Sequence, residues 1–188
     1  MLHPGSIKER LSRLQRREIR SGVLTHSAVL LPLVQKDTGL HLLLTKRTNT
    51  VEHHKGQISF PGGAVDCSDA TTVDTALREA EEEIGLPPSA VEILGLMHDI
   101  KTPTGFIISP VVGYIKELPP LHSNNIEVAE IIFLPLECFT DNTKRTSQWI
   151  VREGNKTEVF FYHVWREPVW GATALCIKEF IDTVAQPS

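Results

Sequence analysis

The sequence predicts an α/β (α+β) fold, a β-sheet with helices covering its faces. Three observations predict it. Short apolar runs with the reach of strands recur between residues 27 and 164. Two segments, 71–84 and 172–184, instead carry apolar residues at steps of three and four, the period of a helix packed along one side. Strands and helices also interleave along the chain rather than separating into blocks. With 188 residues the chain suffices for one domain with a sizeable core and is short for two.

The elements follow in order. Ser6-Ile-Lys-Glu9 reads as a capping box opening a helix over residues 7–20. Such a helix lines up Ile7, Leu11 and Leu14 and leaves Lys8, Arg10, Arg13, Arg16, Arg17 and Arg20 elsewhere. Residues 1–22 therefore read as a basic amphipathic arm, and residues 23–188 as a single domain. A solvated or dimer-packing helix is expected; an organelle presequence or an RNA-binding arm is the rival, with Glu9 and Glu18 against both. Residues 27–34 and 41–45 read as strands around the turn Lys36-Asp-Thr-Gly39. A polar segment, 46–55, leads into a short strand over 57–60 that stops at Pro61-Gly62-Gly63. A loop at 66–69 precedes the helix 71–84, which Gly85 caps and Pro87-Pro88 cannot continue. Strands follow at 91–97, 106–115 and 128–134, then a hairpin of 146–151 and 159–164 across Glu153-Gly-Asn155, then the final helix.

Composition excludes several classes. The 41% apolar and 22% charged content is that of a globular chain, not a disordered one. The longest apolar stretch, 28–34, is broken by Pro32 and falls far below the roughly 18 residues of a membrane-spanning helix. A net charge of −4 argues against a surface built for nucleic acid. Cys67, Cys138 and Cys176 are odd in number and form no CxxC pair, so they read as buried small hydrophobes in a reducing compartment. The last residues are not a peroxisomal address, and a cytoplasmic location is expected.

The chemistry gathers on the acidic helix. Glu79, Glu82 and Glu83 stand at i, i+3 and i+4, so that on a 3.6-residue period Glu82 and Glu83 each fall within about 60° of the direction of Glu79. Like charges so spaced repel, and Arg78 alone cannot neutralise three carboxylates. A divalent cation can, and an all-oxygen donor set suits Mg²⁺ or Mn²⁺. The alternative is an ordinary solvated acidic face. Against it stands the Phe60-Pro-Gly-Gly63 turn just upstream, whose backbone can approach whatever the glutamates hold.

These residues resemble the signature of the Nudix hydrolases, G-x5-E-x7-R-E-U-x-E-E-x-G-U with U aliphatic. Arg78-Glu-Ala-Glu-Glu-Glu-Ile-Gly-Leu86 matches its second half, with Ala80 at the first aliphatic place. The first half departs: Asp69 stands where the family has glutamate, with one extra residue before Arg78. Leu43-Leu-Thr-Lys-Arg-Thr48 and Gly56-Gln-Ile-Ser-Phe-Pro-Gly-Gly63 further resemble the extra motif of the coenzyme A pyrophosphatase branch. Asp66, Asp69, residues 75–80, 102–106 and 110–113, and Trp170-Gly171 fit that branch too, so the resemblance runs from about residue 28 to 185. Glu52 departs from it, standing where the branch usually has arginine; Lys46, Arg47 or Lys55 would then meet the phosphates, or the substrate differs.

The resemblance implies a Nudix-type α/β/α sandwich with a mixed curved sheet, helices on both faces and the signature at about 62–86. It implies Mg²⁺ (or Mn²⁺) held by Glu79 and Glu83, with Glu82 close or shared, and metal-assisted hydrolysis of a nucleoside diphosphate derivative. The general base is Glu79 or, second, Glu127, with Glu130 a weaker candidate. Arg78 fixes carboxylate rotamers or, alternatively, clamps phosphate. Lys46, Arg47, Lys55, Gly62, Gly63 and Phe106 are the substrate-binding candidates, Phe106 competing with a core role. His53-His54 could meet phosphate or adenine, and Trp149, Trp165 and Trp170 fit a core or an interface. For coenzyme A the products are 3′,5′-ADP and 4′-phosphopantetheine. ADP-ribose or NADH are the alternative substrates. A silent nucleotide-binding module would normally have lost Glu79, Glu82 or Glu83, and all three are present; RNA-end processing would use the basic arm. The expected partner is a small molecule, not nucleic acid or membrane, with a homodimer left open.

Overall fold

Alternation along one long strand builds two cores at once. A computed structural model describes residues 2–48, 56–152 and 154–185. In it, β1 (Thr25–Lys36) sends Ala28, Leu30 and Val34 into one buried cluster and Leu31 and Leu33 into another. β2 (Gly39–Arg47) repeats the division, with Leu43 on the first side and Leu42 and Leu44 on the second. The helix α2 (Thr72–Ile84) fills the first cluster with Ala76, Ala80 and Ile84. On the other face, α1 (Pro4–Ser12) contributes Ile7 and Leu11, and α3 (Gly171–Ala185) contributes Ala174, Ile177, Phe180 and Ile181. The result is an α/β/α sandwich.

The sheet is mixed. β1 runs parallel to β7 (Phe106–Ile115) over ten paired positions, and the edge strands β5 (Glu92–Leu96) and β6 (Ile100–Lys101) lie antiparallel on β7. β1 and β2 pair only near their hairpin, Leu33 to Lys36 against Leu42 to Gly39. Between their other halves sit β3 (Ile58–Ser59), on Thr45 and Lys46 of β2, and β4 (Gly62–Ala64), on Ser27 to Val29 of β1. Because β7 and β8 (Val128–Pro135) take the outer edges of β1 and β2, the β3–β4 segment is a wedge inside the sheet. A second sheet of β9 (Arg145–Arg152), β10 (Asn155–Tyr162) and β11 (Val169–Trp170) packs through β10 and β11 on α3. No helix among the described residues is long and apolar enough to cross a membrane.

The N-terminal arm differs most from its sequence reading. α1 starts at Pro4, capped by His3, whose imidazole accepts the Gly5 amide while the Ser6 hydroxyl faces the His3 amide. It ends at Ser12, not Arg20. Beyond it, tertiary partners outbid a helical ladder: Arg16 reaches Asp99 at 2.8 Å and Ser109 at 3.3 Å, the Ile19 amide donates to Asp99 at 2.8 Å, and the Arg17 amide donates to His98 at 3.0 Å. Burial works against charge on Asp99, but hydrogen bonds from Arg16, Ile19 and Ser109 together hold its carboxyl below its ordinary value. α1 is also no solvated arm, since Ile7 and Leu11 are core residues. Two further expectations are corrected. Cys67 is exposed, Cys138 only half-buried, and of the three only Cys176 is a buried hydrophobe. Trp149 is 59% exposed, so it has no place in the core.

Candidate active site

The wedge and α2 meet at two glycines. Gly63 lies against Glu79 so closely that a Cβ there would stand 2.4 Å from the carboxyl carbon and 2.5 Å from both oxygens. At Gly62 (φ +156°) a Cβ would collide at 2.4 Å with the Ala28 carbonyl. Only a chain without side chains passes between β1 and the helix carboxylates here. α2 is held in place at both ends: the Thr71 hydroxyl accepts the Asp74 amide, and Gly85 closes the last turn in the left-handed region at φ +67°. Past that turn, the Asn124 amide donates to the Glu83 carbonyl at 2.8 Å and the His122 amide to the Ile84 carbonyl at 3.0 Å. Those bonds dock the loop that carries Glu127.

The carboxylates sit in unlike surroundings. Glu83 is only 5% exposed, and burial pushes its pKa up to about 8. Arg47 and the Gly62 amide oppose that rise, while Glu79 and Glu127 add to it. Glu79 is likewise raised, first by burial and then by Glu82 and Glu127, with Arg78 opposing. Asp69 lies at the other extreme, where the Arg78 guanidinium holds its carboxyl well below the usual carboxylate range.

Arg78 is the hub. Its Nε and Nη2 grip the two Asp69 oxygens at 3.0 Å each, a bidentate fork, and Nη2 also donates to the Ala64 carbonyl at 3.2 Å. Its Nη1 donates to Glu79 at 2.9 Å and Glu82 at 3.2 Å. Asp69 additionally accepts from Thr75 at 2.9 Å. This knot ties α2 to β4 and the loop between them.

The site candidates separate by strand geometry. A bulge falls between Lys46 and Arg47, and Arg47 turns toward α2, its Nη1 3.8 Å from Glu83 Oε1. Lys46 instead pairs with Glu167 at 2.6 Å. Phe106, 38% exposed, starts β7 two residues before Ile108, which packs against the α1–α3 core on the face away from α2. Glu130 is held by Arg166 through contacts of 2.7 and 2.8 Å, whereas Glu127 is near enough to raise both Glu79 and Glu83. Lys55, His53, His54 and Glu52 lie outside the described residues. The closeness of Arg47 to Glu83 and the fork on Asp69 were not read from the sequence; for Asp69, the signal was its place nine residues before Arg78.

Among the described residues no three His, Cys, Asp or Glu side chains are grouped to hold a metal ion, and Arg78 engages both Glu79 and Glu82. The donors nonetheless suit a hard divalent cation. They are all carboxylate oxygens, and Glu83 Oε2 is buried with no hydrogen-bond partner.

Comparison with known proteins agrees with this geometry. The NUDIX domain family matches residues 24–152. A protein of Photorhabdus laumondii described as an uncharacterized Nudix hydrolase NudL is 38% identical over 159 residues, 85% of this chain and 84% of the relative. Its namesake in Escherichia coli (strain K12 / DH10B) is 39% identical over 173 residues, 90% of both chains. Among solved structures, a MutT/nudix family protein from Enterococcus faecalis superposes with a TM-score of 0.59 at 17% identity, covering 99% of this chain and 76% of that one, a likeness of fold. On the family match and these relatives, supported by the carboxylate helix seated on Gly62-Gly63, the chain belongs to the Nudix hydrolase family.

Proposed function

We propose that the protein hydrolyses the diphosphate bond of coenzyme A or a coenzyme A derivative, releasing 3′,5′-ADP and 4′-phosphopantetheine or its acylated form. One observation carries the reading. The segments resembling the coenzyme A pyrophosphatase motif, 43–48 and 56–63, lie on β2, β3 and β4, which bring Arg47, Gly62 and Gly63 onto the α2 carboxylates. Nudix hydrolases generally work with divalent metals, and Glu79 and Glu83, with Glu82 at the rim, would hold Mg²⁺ (or Mn²⁺) here. When bound, the ion supplies positive charge to the paired phosphoryl groups and acidifies water near neutral pH.

The chain's own residues do the rest. Glu79, its pKa raised, takes the proton of the attacking water, with Glu127 the second candidate for that task. The water oxygen bonds to one phosphorus, the bridging P–O bond breaks, and the departing phosphate keeps the electron pair. Arg78 fixes the rotamers of Glu79 and Glu82 while anchored on Asp69. Arg47 offers its guanidinium donors to phosphoryl oxygens. Lys46, a candidate for the same task, is instead engaged by Glu167.

A substrate panel tests the reading. Coenzyme A, an acyl-coenzyme A, ADP-ribose and NADH are incubated with Mg²⁺, with Mn²⁺ and with chelator, and products are resolved by chromatography. Metal-dependent 3′,5′-ADP from coenzyme A is expected. Turnover of ADP-ribose or NADH without it would move the activity to another nucleoside diphosphate derivative.

A further inference from the structure

We propose that Arg47 is a placeholder cation: without a divalent ion it occupies the place beside Glu83, and when an ion takes Glu83, Arg47 turns its guanidinium to the substrate's diphosphate. The inference rests on the reading of Glu79 and Glu83 as metal ligands.

Two ion pairs of this site invite comparison. Arg78 closes on Asp69 with two contacts of 3.0 Å, the geometry of a finished structural pair. Arg47 stands 3.8 Å from Glu83 Oε1, within reach of charge attraction and beyond hydrogen-bond length. Both partners are largely enclosed, with side chains 26% and 7% exposed. Yet Arg47 Nε and Glu83 Oε2 each lack a hydrogen-bond partner. They are two of only four buried side-chain polar atoms among the described residues left in that state. A pair that existed to stabilise the fold would have closed, as Arg16 does on Asp99 at 2.8 Å even though its own Nε is also without a partner. One that must open keeps its distance.

Charge explains why a stand-in is needed. The carboxylates of Glu79 and Glu127 lie close to Glu83, in surroundings with little water to screen them. The strand bulge at Lys46/Arg47 delivers a cation to that point, while Lys46 is turned to Glu167 and cannot serve. The guanidinium is also the better group for the second task, since its planar fork matches two phosphoryl oxygens. Metal ion and Arg47 therefore compete for Glu83, and substrate relieves the competition.

The test measures two quantities that must move in opposite directions. Mn²⁺ binding to metal-stripped protein is followed by titration calorimetry without substrate, and KM and kcat are measured on coenzyme A. Arg47→Ala is expected to tighten Mn²⁺ binding at least about five-fold, the fully water-screened limit for one unit charge at about 4 Å. It should raise KM at least about ten-fold through loss of a charge-assisted contact. Arg47→Lys should keep metal affinity near wild type and recover part of KM. A merely structural role would weaken both quantities together. Arg47→Gln, which removes the charge but keeps a donor and most of the length, gives the same reading if the alanine variant does not fold. Unchanged or weaker Mn²⁺ binding in Arg47→Ala and Arg47→Gln, with Glu83→Gln abolishing it, overturns the placeholder while leaving the metal reading intact. Equal Mn²⁺ binding by wild type and Glu83→Gln overturns the metal reading itself.

Discussion

Glu83 carries the sharpest consequence at the scale of one residue. Its pKa is raised by burial from an ordinary value near 4.5 to about 8, so between those values the folded protein keeps a proton that the unfolded chain has released. Its contribution to stability is therefore full below pH 4.5 and is lost as pH rises toward 8, at up to about 1.4 kcal/mol per pH unit. Melting temperatures in chelator across pH 5–8 should fall more steeply for wild type than for Glu83→Gln, whose amide does not titrate. Parallel curves would mean that the carboxyl is ionised throughout. The same substitution should lower kcat by about a thousand-fold or more while leaving the metal-free protein at least as stable at pH 8, a split expected of a group kept for chemistry rather than for folding. The cluster was legible in the spacing of Glu79, Glu82 and Glu83. Its internal differences were not: periodicity gives a direction around the helix, and only the wedge and the 122–127 loop decide that Glu83 is enclosed while Glu82 stays 58% exposed at the rim. Lys46 and Arg47 are adjacent cations in sequence, and a bulge that no local pattern announces decides which of them meets the carboxylates.

At the scale of elements, α2 works only as far as its attachments hold it over β4. Its limits were nearly readable, because a threonine cap and a terminal glycine act locally. β4 and β6 were missed for the converse reason: at three and two residues they show no period, and their strand character comes from pairing with β1 and β7. The end of α1 was misread because residues 16–19 bind Asp99, His98 and Ser109, partners some eighty positions away. The attachment of α2 that matters for the proposed chemistry is the fork between Arg78 and Asp69. In Asp69→Ala the guanidinium loses its anchor and is free to close fully on Glu79 and Glu82, the carboxylates it already touches. Metal affinity and activity are expected to drop by about 10–100-fold, the usual effect of losing a group that orients ligands. The far-ultraviolet circular dichroism should be unchanged. Wild-type Mn²⁺ affinity in this variant would show that the fork does not restrain the carboxylates.

At the scale of the whole molecule, the residues of the proposed site share one face of the sheet. Carboxylates, wedge glycines and Arg47 lie on the α2 side of the sheet, while the core under α1 and α3 lies on the other. The sandwich was legible in the sequence because its alternation is local, whereas the incorporation of α1 into that second core was not, since a short basic helix reads the same whether docked or solvated. Ile7 has no exposed surface, and the helix that carries it, α1, packs on β5 and α3. Truncation to alanine leaves a cavity between elements that cannot all collapse onto it, so Ile7→Ala should cost about 2–5 kcal/mol. For a chain of this length that is a fall of about 5–15 °C in melting temperature. The sheet stands between this cavity and Glu79, so kcat and KM measured well below the transition should stay within about two-fold of wild type. Thermal melts followed by kinetics on the same preparation separate the two effects. A variant with wild-type melting and impaired kcat would mean that α1 reaches the catalytic face, and the division of the molecule into a reacting face and a supporting one would have to be abandoned.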